Sequence, residues 1–179
     1  GAICSLIAID FLRQFSISVQ KNFRQDSLKR QIDWIEFNQI LKPLLETPEV
    51  KQLADYKHHW NKNRLEHSLE VAWHGYYVSK KFGLDFTAAA RAGLLHDLFF
   101  YDWLTEGPRL HGFRHPRISL ANADKIASLS ARERDIIRKH MWPLTIVPPR
   151  YLESWIVCIA DTYCGIKDYV VLSRKLNES

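Results

Sequence analysis

The 179 residues, 46% hydrophobic and 25% charged, have the length and balance of one soluble globular domain and exclude both a disordered segment and a small disulfide scaffold. Twenty-five Lys and Arg against 20 Asp and Glu leave a formal charge of +5. That mild excess suits an anionic small ligand, and apart from Lys29–Arg30 and Lys80–Lys81 it is spread too evenly to mark a nucleic-acid interface.

The run Ala2–Ile9 is apolar but is cut short by Asp10 and Arg13. A membrane span needs about 20 apolar residues, and the basic flank and cleavage pattern of a signal peptide are missing. Met141 is the only methionine, so Gly1 is read as a processed or trimmed start. The three cysteines, Cys4, Cys158 and Cys164, are odd in number and form no CxxC, which fits a reducing, cytoplasmic setting.

A loosely periodic helix is expected over Ala2–Val19, packing on the domain or on a second copy as a homo-oligomer. From Arg30 to Glu46, the residues Ile32, Trp34, Ile35, Phe37, Ile40, Leu41, Leu44 and Leu45 recur at helical spacing. Thr47-Pro48 then opens a short helix, with Thr47 as N-cap. His58 and His59 follow, before a polar break at Asn61–Asn63. On a helix such neighbours point about 100° apart, so the pair is read as surface or supporting residues.

Arg64–Phe82 predicts a strong helix with Gly83 as its C-terminal stop. Asp85 caps the next, Phe86 to about Asp97, whose Ala-rich body and Gly93 allow close packing. Leu98–Trp103 is aromatic, and Thr105–Pro116 reads as a loop over something polar. A helix resumes over Pro116–Ser128, and Ser130 with Glu133 forms a capping box for Ala131–His140. Trp142–Arg150, with three prolines, is a stiff loop before the last helix, Tyr151–Tyr169, and the tail after Ser173 is expected to fray. No convincing run of strands appears, so the fold predicted is all-α, a compact array of six to eight helices.

Six polar residues interrupt these apolar patterns: His67, His96, Asp97, His115, His140 and Asp161. Their gaps of 29, 1, 18, 25 and 21 residues are not those of a zinc finger or an HExxH helix. They suit ligands on successive helices that converge on one point. Four His and two Asp favour Mn, Fe, Co, Ni or Zn, one or two ions, over Mg or Ca. Asp97 has two oxygens and could bridge two ions.

In order, the segments RLEHSLEVA, AGLLHDL, FRHP, IIRKHMWP and IVCIADTYCGI resemble the HD-domain metal-dependent phosphohydrolase superfamily, from about Arg64 to Tyr169. The resemblance implies a single HD-type domain over 1–179, with N-terminal helices in 1–60 packing on a metal-binding core in 61–170. Its H…HD…D pattern maps onto His67, His96–Asp97 and Asp161. The longer H…HD…H…H…D pattern of binuclear members adds His115 and His140 for a second ion. His111 competes with His115, which is preferred because His-Pro opening a helix matches the family. The Lys after the HD pair and the Gly-Tyr-Pro element of the HD-GYP phosphodiesterases are both missing, which argues against cyclic dinucleotide cleavage.

The implied activity is hydrolysis of a phosphate ester or anhydride, with a small nucleotide-type substrate. Metal-activated water attacks phosphorus, Asp97 serves the catalytic metal, and Arg64 and Arg114 offset phosphate charge. Lys139 is a weaker candidate. Trp142 is a candidate stacking ring for a base or sugar. No membrane and no specific nucleic-acid partner is expected. The competing readings are a metal-containing ligand-binding or sensor protein without hydrolysis, and an HD-type di-iron oxygenase.

Overall fold

The computed structural model describes residues 27–59, 62–103 and 105–177. The expected Ala2–Val19 helix and Cys4 lie outside them. By internal contacts the chain divides into two units, Gly1–Asn38 and Gln39–Ser179. All the candidate site residues lie in the second.

The described residues are all-α apart from one small hairpin. Helix α1 runs over 27–45. Its buried stripe is Asp33, Phe37, Leu41 and Leu44, at steps of four, four and three. Ile32, Trp34 and Ile35 lie off that stripe and are exposed, unlike the broad apolar face expected from the sequence. Helix α2, Pro48–Gln52, starts as predicted, with the Thr47 side chain accepting from the Val50 amide. It ends in a 3-10 turn, Leu53–Asp55.

The polar break is in fact a two-stranded antiparallel hairpin, β1 (Lys57–His59) with β2 (Lys62–Asn63), irregular between Lys57 and His59. Three residues and two are too few to show a period of two in the sequence. Asn63 closes the hairpin and caps α3, Arg64–Lys81, in a reciprocal capping box with Glu66. Gly83, at φ +67°, ends that helix in the left-handed turn glycine adopts without strain.

Asp85 caps α4, Phe86–Leu95. A Cβ on Gly93 would meet the Ala72 Cα at 2.8 Å, so α3 and α4 approach as closely as the small residues promised. Helix α5 is His111–Ile126 and begins five residues before the Pro116 start expected from sequence. Leu110, in the left-handed region at φ 62°, turns the chain into it. Pro116 therefore lies in the second turn, where its missing N–H takes the helical donor from one carbonyl, that of Gly112.

Helix α6, Ala131–Lys139, has the predicted Ser130–Glu133 capping box. Helix α7, Leu152–Asn177, continues past the residue where fraying was expected. Within the second unit α3 packs on α4 and α7, while α6 packs on α4, α5 and α7. No described helix is long and apolar enough to cross a membrane.

Candidate metal centre

The six residues singled out in the sequence come from five helices and meet at one place. His67 lies in the first turns of α3, His115 is in α5, and Asp161 is in α7. His96 and His140 are the C-caps of α4 and α6. Each turns its ring back on its own helix, Nδ1 to the Gly93 carbonyl at 2.7 Å and Nδ1 to the Ile137 carbonyl at 2.8 Å. This satisfies an end carbonyl that the helix leaves open. His115 directs Nδ1 to the His111 carbonyl at 3.1 Å.

A carbonyl only accepts, so Nδ1 of each of these three rings carries a hydrogen. In the neutral imidazole the Nε2 atoms are then bare lone pairs. All three face the same centre. His115 Nε2 stands 2.8 Å from His140 Nε2 and 3.2 Å from Asp97 Oδ1, and His140 Nε2 is 3.7 Å from that same oxygen. His96 Nε2 is 3.7 Å from Asp97 Oδ2 and 3.6 Å from Asp161 Oδ1. His67 Nε2 lies 3.0 Å from Asp161 Oδ1.

Asp97 thus divides the cluster. Oδ1 faces His115 and His140, and Oδ2 faces His96. Among the described residues, His96 Nε2 and Asp97 Oδ1 are buried without a hydrogen-bond partner. A buried polar atom left so costs roughly 1–3 kcal/mol.

Two buried carboxylates demand positive charge, and the histidines respond unequally. Burial disfavours the charged form of His96, but Asp97 and Asp161 outweigh it and push its pKa up to about 9. Burial, reinforced by charge on His96 and His115, pushes His140 down to about 3. Burial would raise both carboxyls, yet His96 and His115 hold Asp97 well below the carboxylate range, and His67 and His96 do the same for Asp161. The donor set is mixed nitrogen and oxygen, and a divalent ion would take the place of the proton that His96 holds toward the two carboxylates. Its atoms lie close enough to hold a metal ion, as the groups His67–His96–Asp161 and His96–Asp97–His140 show.

A cavity of about 410 Å³ opens on this centre, walled in part by Phe99, Trp103, His111, Met141 and Thr162. His111 is a wall residue, its ring stacked on His115 with centroids 4.5 Å apart and its Nδ1 3.1 Å from the Tyr101 hydroxyl. Burial, then the neighbouring His115, lowers its pKa to about 4.

The expected cations do not line the cavity. Arg64 is fully buried, donating to the carbonyls of Phe99 at 2.6 Å and Tyr101 at 3.1 Å, with its guanidinium 3.6 Å from the Phe99 ring centre. It ties the start of α3 to the segment that follows the His-Asp pair. Arg114 is exposed and lies off the cavity walls, and Lys139 pairs with Asp135 at 2.6 Å. Trp142 packs edge-on against Trp155, 4.8 Å between centroids, and the aromatic wall is Trp103 instead.

His58, read from the sequence as a surface or supporting residue, stands in the cavity wall. Its ring stacks on His67, 3.7 Å between centroids, with Nδ1 3.9 Å from Asp97 Oδ2. The tandem histidines were the available signal. Helical geometry does not apply to them, because β1 is a strand, which sends alternate side chains to opposite faces.

The class so defined is an all-α protein with a buried His/Asp centre able to hold metal. No family model matches the chain, and no solved structure matches it.

Proposed function

We propose that the protein is a metal-dependent phosphohydrolase acting on a small phosphate ester or anhydride of the nucleotide type. One observation carries most weight. The Nε2 atoms of His115 and His140 stand 2.8 Å apart while both Nδ1 atoms are committed to backbone carbonyls. Two such nitrogens that close need a cation between or beside them, a proton or a metal ion, and the convergence of further imidazoles and two carboxylates there favours the metal. The resemblance of the H…HD…H…H…D order to HD-domain phosphohydrolases supports the same reading.

His67, His96, Asp97 and Asp161 would hold one divalent transition-metal ion. Asp97, His115 and His140 would hold a second. When bound, such ions supply Lewis acidity toward phosphoryl oxygens and lower the pKa of water. The chain supplies the rest. Asp97 offers one oxygen to each side. The carbonyls of Gly93, His111 and Ile137 fix three imidazoles in the ligating tautomer. Arg64 anchors Phe99 and Tyr101, so that Phe99 holds its place in the cavity wall. At about 410 Å³ the cavity is in the range that accepts a nucleotide-sized molecule, and Trp103 and His111, stacked on each other, stand in its wall.

Elemental analysis of protein purified without chelators or a metal-affinity column tests the reading, followed by phosphate release from nucleotide and simple phosphoester substrates. About two transition-metal ions per chain with hydrolysis is the expected result. Metal-loaded protein inert to every phosphate substrate would pass the assignment to a binding or sensing role, and dioxygen-dependent turnover would pass it to an oxygenase.

A further inference from the structure

The two halves of the cluster are not equally furnished. Among the described residues, three side chains, Asp97 included, converge on the His115–His140 side, with His96 within reach of both halves. On the other side His67, His96, Asp97 and Asp161 already make four. The hairpin adds to that richer side. His58 Nδ1 points at Asp97 Oδ2, and ligand atoms of His58, His67 and Asp97 all lie within 4.8 Å of one another. Its ring lies against His67 at an interplanar angle of 20°, so the two imidazoles present their edges to the same space. The side chain is 14% exposed and stands in the cavity wall. A surface histidine has no reason to be stacked there.

We propose that His58, carried by the hairpin before α3, is a further ligand of the ion held by His67, His96, Asp97 and Asp161. That ion then has five protein ligands and at most one open position in an octahedral shell. The ion of Asp97, His115 and His140 keeps three. The first is the tightly held ion, and the second is the one with room for a phosphate oxygen, since sites that bind substrate keep open positions. The proposal rests on the metal-centre reading above but not on phosphate hydrolysis.

The test uses full-length protein, with Co²⁺ as the probe, in wild type, His58→Ala and His58→Asp. Chelator competition gives the two affinities, and the visible cobalt spectrum reports coordination. The expected result for His58→Ala is weakening of the tighter ion by more than the roughly 10–100-fold that loss of an outer partner costs. The weaker ion should move less than threefold, and the spectrum should change. His58→Asp, or added imidazole filling the space left by alanine, should restore most of the affinity. Unchanged affinities and spectrum in His58→Ala overturn the proposal. So does a loss that neither aspartate nor imidazole restores, because that is the mark of a merely structural residue. Wild-type protein that behaves as expected but hydrolyses no phosphate ester leaves this proposal standing and ends the hydrolase reading. Wild-type protein that binds no cobalt ends both.

Discussion

Helices α3 and α7 carry two clusters of metal-ligating residue types, and the comparison separates a site from a coincidence. One cluster is the His/Asp centre, with His67 and Asp161 on the facing helices. About one turn further along each helix, Glu70, His74 and Cys164 also lie close enough to hold an ion. There the chain has already supplied the positive charge. Lys62 binds Glu70 and, at 2.6 Å, Asp168, while Lys167 binds Glu70 at 2.6 Å. Two ammonium groups balance two carboxylates. The Cys164 thiol, raised to about 12 by burial and by Glu70 and Asp161, stays protonated and is a poor ligand. In the first cluster, among the described residues, no Lys or Arg bonds to Asp97 or Asp161, and only histidines, whose protons a metal can displace, answer the two carboxylates. Proximity of ligand-type residues is common to both. Charge answered by displaceable imidazole protons, not by fixed ammonium groups, is what distinguishes the first.

The sharpest way to break the comparison is Asp97→Ala, which removes the oxygen facing each side of the centre. It should lower metal affinity by more than about 100-fold and abolish any phosphatase activity, with far-UV circular dichroism unchanged. Glu70→Ala should leave metal content as it was. Equal losses in the two variants would erase the distinction.

His115→Ala should cost the second ion selectively, measured as a fall from about two ions per chain toward one. His111→Ala should keep the metal and weaken substrate binding, because His111 lines the cavity. The reverse pattern would move the ligand role to His111.

Arg64→Ala should act through stability. Two hydrogen bonds from a charged donor, at roughly 1.5–3 kcal/mol each, predict a loss of about 3–6 kcal/mol on denaturant unfolding. Lysine should not restore it, since one ammonium cannot serve two carbonyls and stack on Phe99 as well. A rise in KM with unchanged stability would return Arg64 to the phosphate.

The smallest expected effect is at Glu70. Burial opposes its ionisation, yet Lys167 and Lys62 hold its pKa down to about 2, below an unfolded value of about 4.3. A depressed carboxyl stabilises the fold above the unfolded pKa. That contribution is therefore full above about pH 4.3 and is lost as pH falls toward 2. Solvent screening at this half-buried group limits it to about 0.5–1 kcal/mol. Glu70→Gln should flatten the stability profile between about pH 5 and pH 2, and a parallel profile would remove the pair from the account.

What the sequence determined was local. Thr47-Pro48, Asp85, Gly83 and the Ser130–Glu133 box each mark a helix end because capping is a matter of a few consecutive residues. The six polar interruptions of apolar patterns also needed no structure to notice, because burying such groups is costly unless something answers them. The tertiary structure decided what depends on residues far apart in the chain. Arg64 and the Phe99 carbonyl are 35 residues apart, and only packing shows that this guanidinium is spent on backbone. His111 and His115 share one face of α5, and which of them meets Asp97 depends on where the left-handed Leu110 starts the helix. His58 became visible only once the short hairpin turned it onto His67, because five residues of strand are too few to announce themselves. Caps and periodicity are written in neighbours, whereas the centre is written in the convergence of five helices and a hairpin.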